Sequence, residues 1–498
     1  MNGRPYGALS DAVREVLRQA THLYRDRPRT AALLRDQLDR LDEPLRVAIA
    51  GKVKAGKSTL LNALVGEPVA PTDAGECTRV VTWYRDGHSP RVVMYPRSGA
   101  PVPLPVVRRD GALVIELKGA AAEDLDRLVV DWPSQGLRGT TLIDTPGIAS
   151  MSTQTARRTL TFIDPEEADT PTEADAVVYL MRHLHTADID LLEAFRDQGV
   201  ASAGAVNAIA VISRADEIGA GRVDAMISAR AIAHRYRAEP TVRGLCQDVV
   251  AVAGLLAETG RTLRHAEFVT MARLAGVPRT ELEAALLSVD RFRRAEGAVA
   301  DAVEIGEDRD ALLRRFGLFG IRLATTLIRQ GTTDSPTLAA ELVARSGLPD
   351  LQRVLHTQFT QRRDLLKARS ALLALERVLR ADGRTDGPLA AQVERILANA
   401  HEFTELRLLS ALRSGAVTLP REMAGEAERL LGAAGPAPRQ RLGLPAGCGA
   451  LEVRNAALAT LHRWQNHAVN PMFGRAATEA CRVVIRSCEG MLAALTPR

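Results

Sequence analysis

Gly51-Lys52-Val53-Lys54-Ala55-Gly56-Lys57-Ser58 follows the apolar run from Leu45 to Ala50 and precedes the helix-forming run Thr59-Leu60-Leu61-Asn62-Ala63-Leu64. The octet matches G-x-x-x-x-G-K-[ST], and a strand before it with a helix after it is the context that motif requires. Its glycines let backbone N–H groups curl around a β-phosphate at a helix N-terminus. Lys57 is placed to bridge β- and γ-phosphates, and the Ser58 hydroxyl to ligate Mg2+. Gly51, Lys54, Ala55, Gly56, Lys57, Ser58 and Thr59 are the expected phosphate-binding residues; the bland alternative is a chance glycine-rich turn.

The basic residues point to the same window. Of 65 lysines and arginines only five are lysine (Lys52, Lys54, Lys57, Lys118, Lys367), and three of those five fall within six residues of the octet. A compact ammonium on a flexible stem enters a phosphate cradle where a planar guanidinium does not fit. The net charge of +5 is modest for this length and does not by itself select nucleic acid, an anionic membrane or neither.

Two further loops complete a nucleotide site. Asp144-Thr145-Pro146-Gly147 follows the apolar run Thr140 to Ile143, so Asp144 is expected to hold a magnesium-bound water and the Gly147 N–H to meet a γ-phosphate. Ser213-Arg214-Ala215-Asp216 ends the run Ala208 to Ile212, in the order of the guanine-reading [NT]-K-x-D motif. Asp216 can accept from guanine N1–H and the N2 amine together, a donor pair adenine lacks. Arg214 and Ser213 depart from that motif, and Arg214 is expected to lay its cationic stem over the purine. Thr78, with Thr72 and Thr82 as lesser alternatives, is the expected threonine that orders over Mg2+. Ala253-Gly254, after Val249 to Val252, is the expected last base-contacting loop, or else a plain strand end.

Outward from these motifs the grammar is α/β. Short apolar runs, among them Val80 to Tyr84, Arg91 to Met94, Leu113 to Leu117 and Ala176 to Met181, alternate with helical stretches. They predict a P-loop domain with a mostly parallel sheet, helices on both faces, and antiparallel edge strands from His88 to Gly119. Before it, Leu9, Val13, Val16, Leu17 and Ala20 recur at helical spacing, and Pro28 separates them from Leu34, Leu38 and Leu41. After about Leu256 the pattern is amphipathic helix, broken at Gly331 to Pro336, Gly383 to Pro388, Gly415 to Pro420 and Gly435 to Gly449. The stripe Leu312, Phe316, Phe319 and Leu323 fits burial in a bundle better than insertion into lipid. The expected units are 1–43 (N-terminal helices), 44–260 (GTPase domain) and 261–498 (all-α helical bundle). No run of eighteen apolar residues and no basic-then-apolar leader occurs, which predicts a cytoplasmic protein without a spanning helix. Five scattered cysteines imply no disulfide framework.

Together the motifs and flanking helices resemble the dynamin superfamily, and within it the isoniazid-inducible actinobacterial dynamin-like proteins. The likeness is carried by Lys54-Ala55-Gly56-Lys57-Ser58-Thr59-Leu60, Ala70-Pro71-Thr72-Asp73-Ala74, Ser213-Arg214-Ala215-Asp216-Glu217-Ile218-Gly219 and Arg315-Phe316-Gly317-Leu318-Phe319-Gly320-Ile321. The resemblance implies a GTPase using GTP and Mg2+, with Lys54 as the internal cation between β- and γ-phosphate, and Lys57 and Thr78 as its catalytic companions. It also implies that residues 1–43 and 261–498 supply a neck and a trunk with a lipid-contacting tip, for which the breaks Gly383 to Pro388 and Gly415 to Pro420 are the better candidates. Pairing of GTPase heads, association with a related dynamin-like protein, and peripheral contact with anionic lipid at the inner face of the plasma membrane are implied as well. Fission-type membrane remodelling is the leading expectation. The two alternatives are a regulatory GTPase of ribosome or tRNA metabolism, disfavoured because no basic RNA-binding module is seen, and a membrane scaffold with little hydrolysis. No nucleic acid partner is expected.

Overall fold

The computed structural model describes residues 7–71, 80–109, 111–146, 173–184, 189, 192, 207–304 and 306–495. Its core is a nine-stranded mixed sheet built from β1 (Leu45–Gly51), β2 (Thr82–Asp86), β3 (Arg91–Pro96), β4 (Val102–Leu104), β7 (Leu125–Trp132), β8 (Thr140–Asp144), β9 (Ala176–Met181), β10 (Ala208–Ile212) and β11 (Val249–Ala251). The strand order is β11-β10-β9-β1-β8-β2-β7-β3-β4. The five strands from β11 to β8 are parallel, β2 turns antiparallel against β8, and β3 and β4 form the antiparallel edge. The strands β5 (Val107–Arg109) and β6 (Ala112–Val114) pair separately.

Two sequence expectations shift here. The expected strand Leu113 to Leu117 is only the short β6; Ile115 and Leu117 are buried beyond its end. The long strand β7 was not anticipated, because Asp126, Arg127 and Asp131 interrupt its apolar run. Its charges sit at partly exposed positions while Leu128, Val129, Val130 and Trp132 are buried. Propensity alone does not reveal a strand whose place depends on neighbours on both sides.

Along β1 the side chains alternate between two cores, as strand geometry requires. Val47 and Ile49 join the face packed by Leu60, Leu61 and Leu64 of the Lys57–Val65 helix and by Leu348, Leu351 and Phe359. Ala48 and Ala50 join the face packed by Met226, Phe268, Phe316, Phe319 and Leu342. The stripe Leu312, Phe316, Phe319 and Leu323 is thus buried. Arg315, Arg322 and Arg329, one heptad apart, tie the Glu307–Arg329 helix to its neighbours. Arg315 reaches Glu267 at 2.8 Å and the Thr262 carbonyl at 3.1 Å, Arg322 bonds the Gly221 and Leu286 carbonyls, and Arg329 bonds the Ala275 and Val277 carbonyls.

The N-terminal helices Gly7–Leu23 and Pro28–Arg40 form a third core with Leu365, Leu372, Leu375, Leu389 and Val393. A fourth core joins Leu408, Leu409, Leu412 and Leu430 to Trp464, Cys481, Val484 and Cys488 of the last two helices. At the N-terminal ends of β1 and β9, buried Arg40 pairs with Asp175 at 3.0 Å, and Asp175 accepts from the Arg46 N–H at 2.9 Å. Lys367 donates to the Arg40 and Glu43 carbonyls, and burial draws its pKa down to about 8. One lysine outside the phosphate window therefore pins the C-terminal helices to the entry of the sheet. Cys246, Cys448, Cys481 and Cys488 are free thiols. Among the described residues no helix is long and apolar enough to cross a membrane.

Candidate functional site

The parallel strands deliver their motifs to one edge. The octet follows β1, Asp144 ends β8, Ser213–Asp216 follows β10, and Ala253–Gly254 follows β11. A crevice outside the carboxyl ends of parallel strands is where open α/β sheets hold ligands.

The glycines of the octet have local reasons. Gly51 has φ +150°, and a Cβ there would lie 2.6 Å from the Leu180 carbonyl oxygen of β9. Only glycine lets the loop leave the sheet at that point. Gly56, at φ +89°, caps the Lys57–Val65 helix, and a Cβ there would meet nothing within 4 Å. Among the described residues nothing crowds that turn, and a helix N-terminus is suited to an anion. Lys54 is exposed and takes a left-handed φ of +63°, a conformation that disfavours residues bearing a Cβ by about 1–2 kcal/mol. Ala55 is buried beneath the loop.

Lys57 Nζ donates to the Gly51 carbonyl at 3.1 Å and the Lys52 carbonyl at 3.2 Å, so its ammonium lies over the loop. Burial lowers its pKa, and the Asp144 charge opposes that shift. Ser58 Oγ donates to Asp144 Oδ2 at 3.0 Å. The other oxygen, Oδ1, is shielded from solvent with no hydrogen-bond partner, although the residue keeps some exposure. Burial raises the Asp144 carboxyl to about 6, against the opposing Lys57 charge and the Ser58 bond. A serine hydroxyl joined to a carboxylate with a spare shielded oxygen suits a hard, oxygen-seeking cation such as Mg2+. Among the described residues no cluster of three or more His, Cys, Asp or Glu that could hold a metal ion occurs. Thr145 braces the loop by donating to the Ile49 carbonyl at 2.9 Å.

At the base-reading loop, the Ser213 N–H donates to the Met181 carbonyl at 2.8 Å and its hydroxyl to the same oxygen at 3.3 Å. Arg214 is left-handed at φ +51°, with its guanidinium on Glu217 at 2.7 Å. Burial raises the Asp216 pKa. The Ala215 N–H donates to the Val252 carbonyl at 3.3 Å, joining this loop to the last one. The Ala253 N–H bonds the Ser346 carbonyl at 2.9 Å, and a Cβ at Gly254 would lie 3.7 Å from Thr59 Cγ2. The structure thus brings together the octet, Asp144, Ser213–Asp216 and Ala253–Gly254. Thr78, its alternative Thr72, and Gly147 lie outside the described residues.

The Dynamin family profile matches residues 47–100. The isoniazid-induced protein IniC of Mycobacterium tuberculosis is 45% identical over 499 residues, spanning 99% of this chain and 100% of that protein. The chain belongs to the IniC family of dynamin-like GTPases. A bacterial dynamin-like protein of Nostoc punctiforme is 32% identical over 114 residues, 21% of this chain and 16% of its own. A solved structure titled as an oligomerised bacterial dynamin pair for long-range sensing and tethering of membranes aligns at 13% identity with TM-score 0.31. It spans 93% of this chain, which covers 61% of that one.

For this IniC-family chain, reading the motifs missed Asn62 and Glu258, which meet at 2.9 Å behind the octet. It also missed Ser346 and Gly347. A Cβ at Gly347 would lie 2.1 Å from the Ala251 carbonyl oxygen, so the chain there abuts β11. The available signal for Asn62 was a single amide inside the apolar run Leu60 to Val65.

Proposed function

We propose that this protein binds GTP with Mg2+, hydrolyses it to GDP and phosphate, and uses the cycle to remodel the plasma membrane from its inner face. The observation that carries this reading is the convergence of Lys57, Ser58, Asp144 and Ser213–Asp216 at one sheet edge. Lys57 moves from the Gly51 and Lys52 carbonyls onto the β- and γ-phosphates, exchanging neutral acceptors for charged ones. Ser58, Asp144 and Thr78 would hold Mg2+, which when bound would neutralise charge on the phosphate oxygens. Asp216 reads guanine, Arg214 covers its face, and Ala253–Gly254 closes the base side. Lys54 stabilises charge developing between β- and γ-phosphate.

In this reading residues 1–43 and 261–498 supply neck and trunk, with the helices through Gln358 seated on the head, and GTP pairs two heads. The lipid contact is assigned to the turn after the Ala450–Ala468 helix. There Val469 is 79% and Met472 87% exposed, in a stretch from Val453 to Thr478 that has no acidic residue of its own and holds Arg454, Arg475 and Arg463, the last paired with Glu426 at 2.5 Å. An exposed apolar tip flanked by arginines suits an anionic bilayer surface, each basic residue near it adding about 1 kcal/mol. The turns at Gly383 to Pro388 and Gly415 to Pro420 suit it less. The first carries Asp386 and no large apolar side chain, and Leu419 in the second is buried.

The test is phosphate release by the full chain with GTP or ATP, with and without phosphatidylserine vesicles, read alongside co-sedimentation. GTP-selective turnover is expected, as is vesicle binding that the Val469→Asp, Met472→Asp pair removes while basal turnover stays. Turnover indifferent to the base rejects the GTPase reading, and vesicle binding that survives the pair rejects the tip.

A further inference from the structure

Asn62 is 1% exposed in the Lys57–Val65 helix, among buried Leu60, Leu61, Ala63, Leu64 and Val65. Its amide makes four hydrogen bonds. Nδ2 donates to Glu258 Oε1 at 2.9 Å and to the Ala70 carbonyl at 3.1 Å; Oδ1 accepts from the Val69 N–H at 2.9 Å and the Ala70 N–H at 2.7 Å. That fills both donors and both lone pairs of the group.

The segments it joins matter more than the number of bonds. Its own helix carries Lys57 and Ser58 at the N-terminal end. Val69 and Ala70 lie where the chain leaves that helix. Glu258, 8% exposed, belongs to the Gly254–Arg261 helix, whose first residue rests against Thr59. The same helix is held from behind, since Thr259 Oγ1 donates to the Arg315 carbonyl. An apolar residue at position 62 could fill the volume, but it could not fix three segments in register. A satisfied core amide that served stability alone could join any elements; this one joins pieces adjoining the phosphate and base sides of one site.

We propose that Asn62 is a positioning residue of the nucleotide site. Through Glu258 and the Val69–Ala70 backbone it sets those segments relative to Lys57 and Ser58, so that its loss slows turnover more than it weakens nucleotide binding. The inference rests on the GTPase reading above. The physical reason for the split is that octet backbone and Lys57 contacts hold the phosphates without Asn62. Turnover, by contrast, demands alignment, and misplacement of about 1 Å can cost on the order of 100-fold.

The test uses the full chain and three readouts: affinity for a fluorescent guanine nucleotide, kcat from phosphate release, and the thermal midpoint. Asn62→Asp keeps the size, removes both donors and faces Glu258 with a second carboxylate. It should lower kcat about 10- to 100-fold with affinity within about threefold. Combining it with Glu258→Gln restores a donor–acceptor pair at unchanged net charge, and should recover about tenfold of the loss. Should Asn62→Asp fail to fold, Glu258→Ala carries the same test, with kcat falling at unchanged affinity. Unchanged kcat, parallel loss of affinity and kcat, or a double variant that recovers the midpoint without recovering kcat each overturns the proposal. A parent that neither binds nor hydrolyses GTP overturns the GTPase reading instead.

Discussion

Asp144 supplies a quantitative handle on the site. Burial raises its carboxyl from 3.8 to about 6, so about half of the free protein carries this proton at pH 6 and about nine-tenths at pH 5. The folded state binds this extra proton between about pH 4 and 6, so the group favours the free fold in acid and disfavours it as pH rises through 6. A divalent cation beside Oδ1 requires the ionised form, and binding therefore expels the proton. From pH 7.5 to pH 5 the affinity for magnesium–nucleotide should weaken about tenfold through Asp144, or roughly 1.4 kcal/mol. The assay is titration with a fluorescent guanine nucleotide at both pH values, with and without Mg2+, in the parent and in Asp144→Asn. The nucleotide's own terminal phosphate titrates over this range, so the Asp144 share is the difference between the two slopes. Asp144→Asn should bind more weakly at pH 7.5 and show a slope flatter by about one decade. Equal slopes would refute the argument, because the orphaned oxygen would then have no part in binding the cation.

Lys54→Ala should abolish turnover while sparing GTP affinity, since a cation in that role is worth about 10³ to 10⁵ in rate; equal loss of both would reject its catalytic assignment. A third prediction concerns the fourth core. Burial pushes Glu405 up, but the Arg441 guanidinium, bonded at 2.5 and 2.9 Å, and the bond from His401 outweigh it and hold the carboxyl at about 2 instead of 4.5. That stabilisation, about 3 kcal/mol, is complete above pH 4.5 and lost as pH falls through 2. Glu405→Gln strands a buried guanidinium and should cost about 3–5 kcal/mol at neutral pH. Denaturant unfolding followed by circular dichroism checks it, and a variant as stable as the parent at pH 7 would count against the bridge.

Much of the candidate site was legible in the chain because the motifs that define it are local. A phosphate loop needs its glycines, lysine and serine within eight residues, and each other loop must follow an apolar strand, so Gly51 to Ser58, Asp144 and Asp216 could be placed from spacing alone. The helical second half was legible for the same reason, since amphipathic periodicity and Gly/Pro breaks are properties of neighbouring residues. Tertiary structure decided what depends on partners far along the chain. Asn62 finds Glu258 at a separation of 196 residues, and Lys367 finds the Arg40 carbonyl at 327. A buried polar group declares its partner only when the fold supplies one, because desolvation makes an unpaired group costly. The place of β7 between β2 and β3, the clamping role of the heptad arginines and the exposure of Val469 and Met472 are likewise set by what packs beside each residue, which periodicity does not encode.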